Sequence, residues 1–295
     1  MIVHHDPGRC EGAPADPIVA AGGSLSANSE IPEMARALAE CVGNIDADRL
    51  ERAIVAGCIY ADAIVLCDDI IDYAACRPAL TRDVPRTGAY FLDAAMIWAE
   101  LFPPQDGFWA ALRRYHREYL ETMQLEGEIS LGERTWESCD EALCRGIVRG
   151  KNGPVRGIAA FVAALGRNPA VLGDLETLTL DYFAVNQMLD DVRDWREDVR
   201  DGNISLVLRR ASPHKPTLDD SRSIGIRMFG GGHVDYVLEL ACQQLLELRG
   251  LARRLGATRY AALVDRRLVQ FSGLAAQLRA DLVLQGRNAN GAAGS

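Results

Sequence analysis

Two acidic clusters carry the residue types and spacing that could do chemistry. The first is Asp68-Asp69-Ile70-Ile71-Asp72, which closes the most apolar stretch of the chain, Ile54–Cys67. Asp68 and Asp72 are four apart and share a helix face, where like charges repel. Following a buried run, such a pair is costly unless a cation bridges it. The second cluster is Asn186-Gln187-Met188-Leu189-Asp190-Asp191-Val192-Arg193-Asp194. Asn186, Asp190 and Asp194 are spaced by four and form one stripe, with Asp191 beside it. Glu197, Asp198 and Asp201 extend the acidic run, while Met188, Leu189, Val192 and Trp195 give the segment a buried face.

Oxygen-rich helical stripes suit hard cations. Mg²⁺ is usually held by one or two carboxylates, with phosphate oxygens and waters completing the shell. Several such ions would neutralise a diphosphate leaving group as its C–O bond breaks. One acidic cluster alone is the common solvated helix face. Two on separate apolar helices, about 120 residues apart, point to metal–diphosphate chemistry. The expected ligands are Asp68, Asp69, Asp72, Asn186, Asp190, Asp191 and Asp194.

The elements that must position these residues read as helices. Apolar spacing at three and four residues recurs, and no run alternates as a strand does. The expected helices are Ile31–Val42, Ala47–Tyr73, Gly88–Phe102, Asp106–Leu131, Thr135–Leu165 with an interruption near Gly150–Pro154, Ala170–Val199, Val234–Leu255 and Arg259–Leu284. Gly230-Gly231-Gly232 marks a break, and Ser212–Asp220, with two prolines, reads as a loop. About eight helices, several longer than the ~11–12-residue average, predict an all-α fold. It would be a single large bundle around a central apolar cavity. Residues 1–29 read as a flexible arm, 30–285 as the one domain and 286–295 as a disordered tail.

Composition excludes several classes. The net charge of −9 lacks the basic field of a nucleic-acid binder. Ile54–Cys67 contains Asp62 and falls short of the ~20 residues that cross a bilayer. The N-terminus shows no secretory signal. The eight cysteines include no C-x-x-C pair, which argues against zinc and for a reducing, cytoplasmic setting. Lys151 and Lys215 are the two lysines of the chain. Aromatics able to face a carbocation are Tyr60, Phe91, Trp98, Tyr115, Tyr119, Phe183 and Trp195.

From Glu33 to Leu284 the layout resembles the class I terpenoid synthases, which include prenyl diphosphate synthases, squalene and phytoene synthases and terpene cyclases. Asp68-Asp69-x-x-Asp72 resembles their first aspartate-rich motif. Asp190-Asp191-x-x-Asp194 resembles the second motif of chain-elongating synthases. Asn186-x-x-x-Asp190-x-x-x-Asp194 has the spacing of the cyclase Asn/Ser/Glu metal triad, with Asp replacing Ser and Glu. The resemblance implies diphosphate contacts from Lys151 and Arg193, and from Arg259-Tyr260, which is similar to a cyclase diphosphate-sensing pair. It also implies Mg²⁺, a C10–C20 prenyl diphosphate and a homodimer. Elongating synthases follow the first motif with Arg-Arg. Here the continuation is Tyr73-Ala74-Ala75-Cys76-Arg77-Pro78, and no second diphosphate site is evident. The first expectation is therefore a Mg²⁺-dependent terpene cyclase. The alternatives are a prenyltransferase using a second prenyl unit or an unusual acceptor, and an inactive helical partner subunit.

Overall fold

The apolar spacing is realised as helices throughout the computed structural model, which describes residues 30–73 and 82–273. The expected arm and tail lie outside these residues. Among the described residues there are twelve α-helices and no strand. They are α1 Glu30–Ala39, α2 Ala47–Tyr73, α3 Val84–Leu101, α4 Gly107–Ser130, α5 Glu141–Lys151 and α6 Gly157–Leu165. Then come α7 Leu172–Arg193, α8 Trp195–Asp201, α9 Leu206–Ala211, α10 Ser221–Gly230 and α11 His233–Arg254. Finally α12 begins at 258 and is described to 273.

Local chemistry explains the boundaries. The start of α2 at Ala47 is the one the periodicity predicts, and the helix is described to Tyr73. In α3 the helix starts four residues before the expected Gly88, because Pro85 falls in the first turn, where its missing N–H leaves no bond unmade. Asp106 caps α4 by accepting from the Phe108 amide at 2.9 Å, and Asp140 caps α5 by accepting from that of Leu143 at 2.7 Å.

Thr135–Leu165 is interrupted where expected, into α5, a 3₁₀ turn Gly153–Arg156 and α6, with Pro154 in the first turn of the 3₁₀ segment. Its start is corrected, since α5 opens at Glu141 after a 3₁₀ turn Trp136–Ser138, and two further expectations are corrected. Ala170–Val199 breaks at Asp194, which ends α7 and opens α8. Helices α9 and α10 were not anticipated. The first spans 6 residues, and the second carries Ser221, Ser223 and Gly225, poor helix formers that only tertiary packing holds in place.

At the centre, α6 is buried on almost every side and α7 buries thirteen of its 22 residues, as expected for helices surrounded by others. Around them pack α11, α5, α4 and α1. Helices α2 and α3 form an antiparallel hairpin. Arg49, near the start of α2, donates to the carbonyl of Leu101 at the end of α3 at 2.8 Å, and Arg52 pairs with Glu100. No described helix is long and apolar enough to cross a membrane.

Candidate active site

A cavity open to the surface lies between α1, α2, α3, α6, α7 and the end of α5. Tyr60, Ile64, Trp98, Phe161 and Phe183 form much of its wall, with Lys151 and Glu30 supplying charge. The wall is thus apolar and aromatic, suited to an isoprenoid chain and able to stabilise positive charge through ring faces.

Both acidic motifs continue the helices that form this wall. Ile64 of α2 lines the cavity and Asp68 stands one turn beyond it. Phe183 of α7 lines it too, with Asn186 one turn and Asp190 two turns further. Asp68 and Asn186 are each 3 % exposed and Asp190 9 %. The Oδ1 atoms of Asp68 and Asn186 are buried with no hydrogen-bond partner among the described residues. An orphaned buried oxygen is costly, and such donors fit a hard cation. Asp69 is half-buried on α2, and Asp72 follows Asp68 by four residues on that helix. Among the described residues no three carboxylate, imidazole or thiol side chains converge into a metal-holding set.

The second motif divides into two environments. Arg193, exposed at the end of α7, donates to Asp190 Oδ1 at 3.4 Å, and the Asp194 amide closes the helix on the Asp190 carbonyl at 2.8 Å. Asp191 turns instead toward Lys151. Gln187 donates to its Oδ1 at 3.0 Å, and burial raises its pKa from 3.8 to about 7 despite that bond and the lysine charge. Asp198 on α8 is pushed well up by burial and by Asp191. Lys151 itself pairs with Glu126 of α4 at 2.9 Å. Gly150 makes this possible, because any larger residue there would collide with Thr122, one turn before Glu126. Lys151 thus stands among three carboxylates, Glu126 buried and Asp191 and Asp198 partly exposed.

The sign of the Asp191 shift fixes a pH dependence. The folded chain holds a proton that the unfolded chain releases between about pH 4 and 7. This contribution to stability is present below that window and is lost as the pH rises through it. Thermal melts of the metal-free protein should show Tm falling across the window, and Asp191→Asn should flatten the fall. An equally steep fall in that variant would assign it to other groups.

Not every expected site residue gathers here. Arg259 is exposed and pairs with Glu40 at 3.2 Å, at the far end of α1 from Glu30. Tyr260 is fully buried, donating to the Leu178 carbonyl at 2.7 Å. These two side chains fasten α12 to the end of α1 and to α7. Among the aromatics, Tyr115 hydrogen-bonds Glu176 under Arg156, and Trp195 packs beneath Gly225. Neither lines the cavity.

Sequence reasoning missed Glu126, Glu30 and Arg267. Two of them carried a signal. Glu126 continues the Tyr115–Tyr119–Met123 stripe, and Arg267 interrupts the Tyr260–Val264–Phe271 stripe. A charge at a core position of an apolar stripe needs a partner or a function.

No protein-family model and no curated protein matches the sequence. Solved structures do match. A polyprenyl synthase from Caulobacter crescentus CB15, complexed with calcium and isoprenyl diphosphate, superposes with TM-score 0.70 at 19 % identity, covering 86 % of this chain and 89 % of that one. A geranylgeranyl pyrophosphate synthetase from the archaeon Geoglobus acetivorans gives 0.69 at 20 % identity, with 84 % and 88 % covered. A geranylgeranyl pyrophosphate synthase from Corynebacterium glutamicum, complexed with isoprenyl diphosphate and magnesium, gives 0.63 at 13 % identity, with 86 % and 91 % covered. The chain therefore has the all-α fold of the isoprenyl diphosphate synthases, the class I terpenoid synthase architecture that its two acidic motifs resemble.

Proposed function

We propose that this protein is a prenyltransferase that ionises a C10–C20 prenyl diphosphate and joins its prenyl group to a second isoprenoid unit or another acceptor. The carrying observation is the apolar, aromatic cavity whose α2 and α7 walls run directly into the two acidic motifs. The fold neighbours add support, since those described are polyprenyl and geranylgeranyl synthases. Mg²⁺ ions held by oxygens of Asp68, Asn186 and Asp190, with Asp69, Asp72 and Asp194 close in sequence, would neutralise the departing diphosphate. Lys151, already on the cavity wall, would hold the diphosphate. The apolar wall excludes water from the cation, and the faces of Tyr60, Trp98, Phe161 and Phe183 lower its energy.

Cyclisation is the second reading. It is favoured by the open Oδ1 of Asn186, the Asn of the cyclase-like triad. The test is incubation with Mg²⁺ and geranyl, farnesyl or geranylgeranyl diphosphate, alone and then with isopentenyl diphosphate. A longer diphosphate formed only with the second substrate supports the transferase. A cyclic product from one substrate supports the cyclase. No turnover, with no Mg²⁺-dependent diphosphate binding, leaves the inactive-partner reading.

We place the homodimer contact on α3. Its outward stripe of Gly88, Ala89, Leu92, Met96 and Ala99 carries no charge, and Leu92 and Met96 are about 60 % exposed. Small beside large residues on one face let a second copy pack against it, and an apolar stripe left in water marks an interface. Leu92→Glu with Met96→Glu should halve the mass measured by light scattering. An unchanged mass would remove the contact from this face.

A further inference from the structure

We infer that Glu30 and Arg267 are positioning residues that orient Asn186 toward the cation–diphosphate site; this rests on the functional reading above. Glu30 opens α1 and lines the cavity. Its Oε2 accepts from Asn186 Nδ2 at 3.1 Å. A carboxamide has one donor end and one acceptor end. Fixing Nδ2 on a carboxylate directs Oδ1 away from Glu30, and the flipped amide would set oxygen against oxygen. That Oδ1 is the buried atom without a hydrogen-bond partner among the described residues.

Glu30 is itself held. Arg267 donates to its Oε1, to the Tyr182 hydroxyl at 3.3 Å and to Gln270 at 3.0 Å. The arginine side chain is 10 % exposed and lies 5.5 Å from the Tyr182 ring centre. Tyr182 precedes Asn186 by one turn, so the network closes on α7. It also accounts for a residue choice. Asn186 is the one amide in a stripe otherwise made of aspartates, and an aspartate there would face the Glu30 carboxylate at hydrogen-bond distance. A mere staple between α1 and α12 needs only the Glu30–Arg267 pair and makes no demand on position 186.

The test is a double-mutant cycle of Glu30→Ala and Asn186→Ala, read by calorimetric binding of inorganic diphosphate with Mg²⁺ and, separately, by Tm. Each single variant should bind about 10-fold more weakly, a usual effect of losing a group that orients a ligand. The double variant should bind no worse than Asn186→Ala alone. Losses that multiply would show that Glu30 does not act through Asn186 and overturn the inference. Glu30→Gln leaves one side-chain oxygen for the two donors that Glu30 serves, Arg267 and Asn186 Nδ2, so it too should weaken diphosphate binding. Binding as tight as that of the wild type in this variant would show that the orientation of Asn186 does not depend on Glu30, and the inference also falls. A wild-type protein that binds no diphosphate with Mg²⁺ would remove the functional reading, and this inference with it.

Discussion

Replacing Asp68 with Asn should yield a more stable protein with little activity. Asp68 is 3 % exposed, and its Oδ1 has no hydrogen-bond partner among the described residues. A buried oxygen left without a partner carries its own desolvation cost. Asn is nearly the same size and carries no charge, so about 1–3 kcal/mol should be recovered. For a chain of this length that is a rise of roughly 2–12 °C in Tm. The same substitution weakens the hold on the cation that neutralises the leaving group. Loss of a single charge-stabilising contact commonly lowers kcat by about 10²–10³, and a fall at the upper end or beyond is expected here. The measurement pairs a thermal melt in metal-free buffer with steady-state release of diphosphate. A destabilised Asp68→Asn would mean that the carboxylate is structurally satisfied, and unchanged turnover would remove it from the site. Such a trade of stability for function is the usual mark of an active-site group.

Lys151→Met should be the most destabilising single change near the site. Lys151 is 12 % exposed and its partner Glu126 11 %, and the lysine charge also restrains Asp191 and Asp198. Methionine preserves the volume and removes the charge that acts on Glu126, Asp191 and Asp198 together. Breaking a buried pair from one side costs about 3–5 kcal/mol, or roughly 6–20 °C in Tm at this size. The carboxylates can escape their repulsion by taking up protons, so the loss should be larger at pH 8 than at pH 5.5. Adding Glu126→Gln should recover part of it. Diphosphate binding should weaken by about 10–100-fold, the worth of one charge-assisted hydrogen bond. Lost stability with full diphosphate binding would make Lys151 a structural residue only. The opposite outcome would assign it to the substrate alone.

Much of the fold was legible because helix-forming periodicity is local. The start of α2 at Ala47, the start of α4 beside Asp106 and the break near Gly150–Pro154 each follow from residues within a turn or two of one another. Position along a helix is also local, so Asp68 and Asp190 could be placed at the ends of apolar stretches. The short helices α9 and α10 were not legible, since their own propensities are weak and packing against α5, α8 and α11 sustains them. The break of α7 at Asp194 was hidden for a similar reason. Its sequence reads as helix throughout, and the joint shows only in the backbone.

What the sequence by itself determined was the all-α class, the two oxygen-rich helix faces and the kind of ligand they suit. Residue type and spacing of three or four decide those matters before any chain folds. What only the tertiary structure decided was which charges share one dry space. Lys151 meets Glu126 because Gly150 lets α5 approach α4, and Asn186 meets Glu30 across 156 residues. Arg259 and Tyr260, adjacent in sequence, part to surface and core. Hydrogen bonds and ion pairs act over a few ångströms, and the chain distances they bridge here leave no period in the sequence.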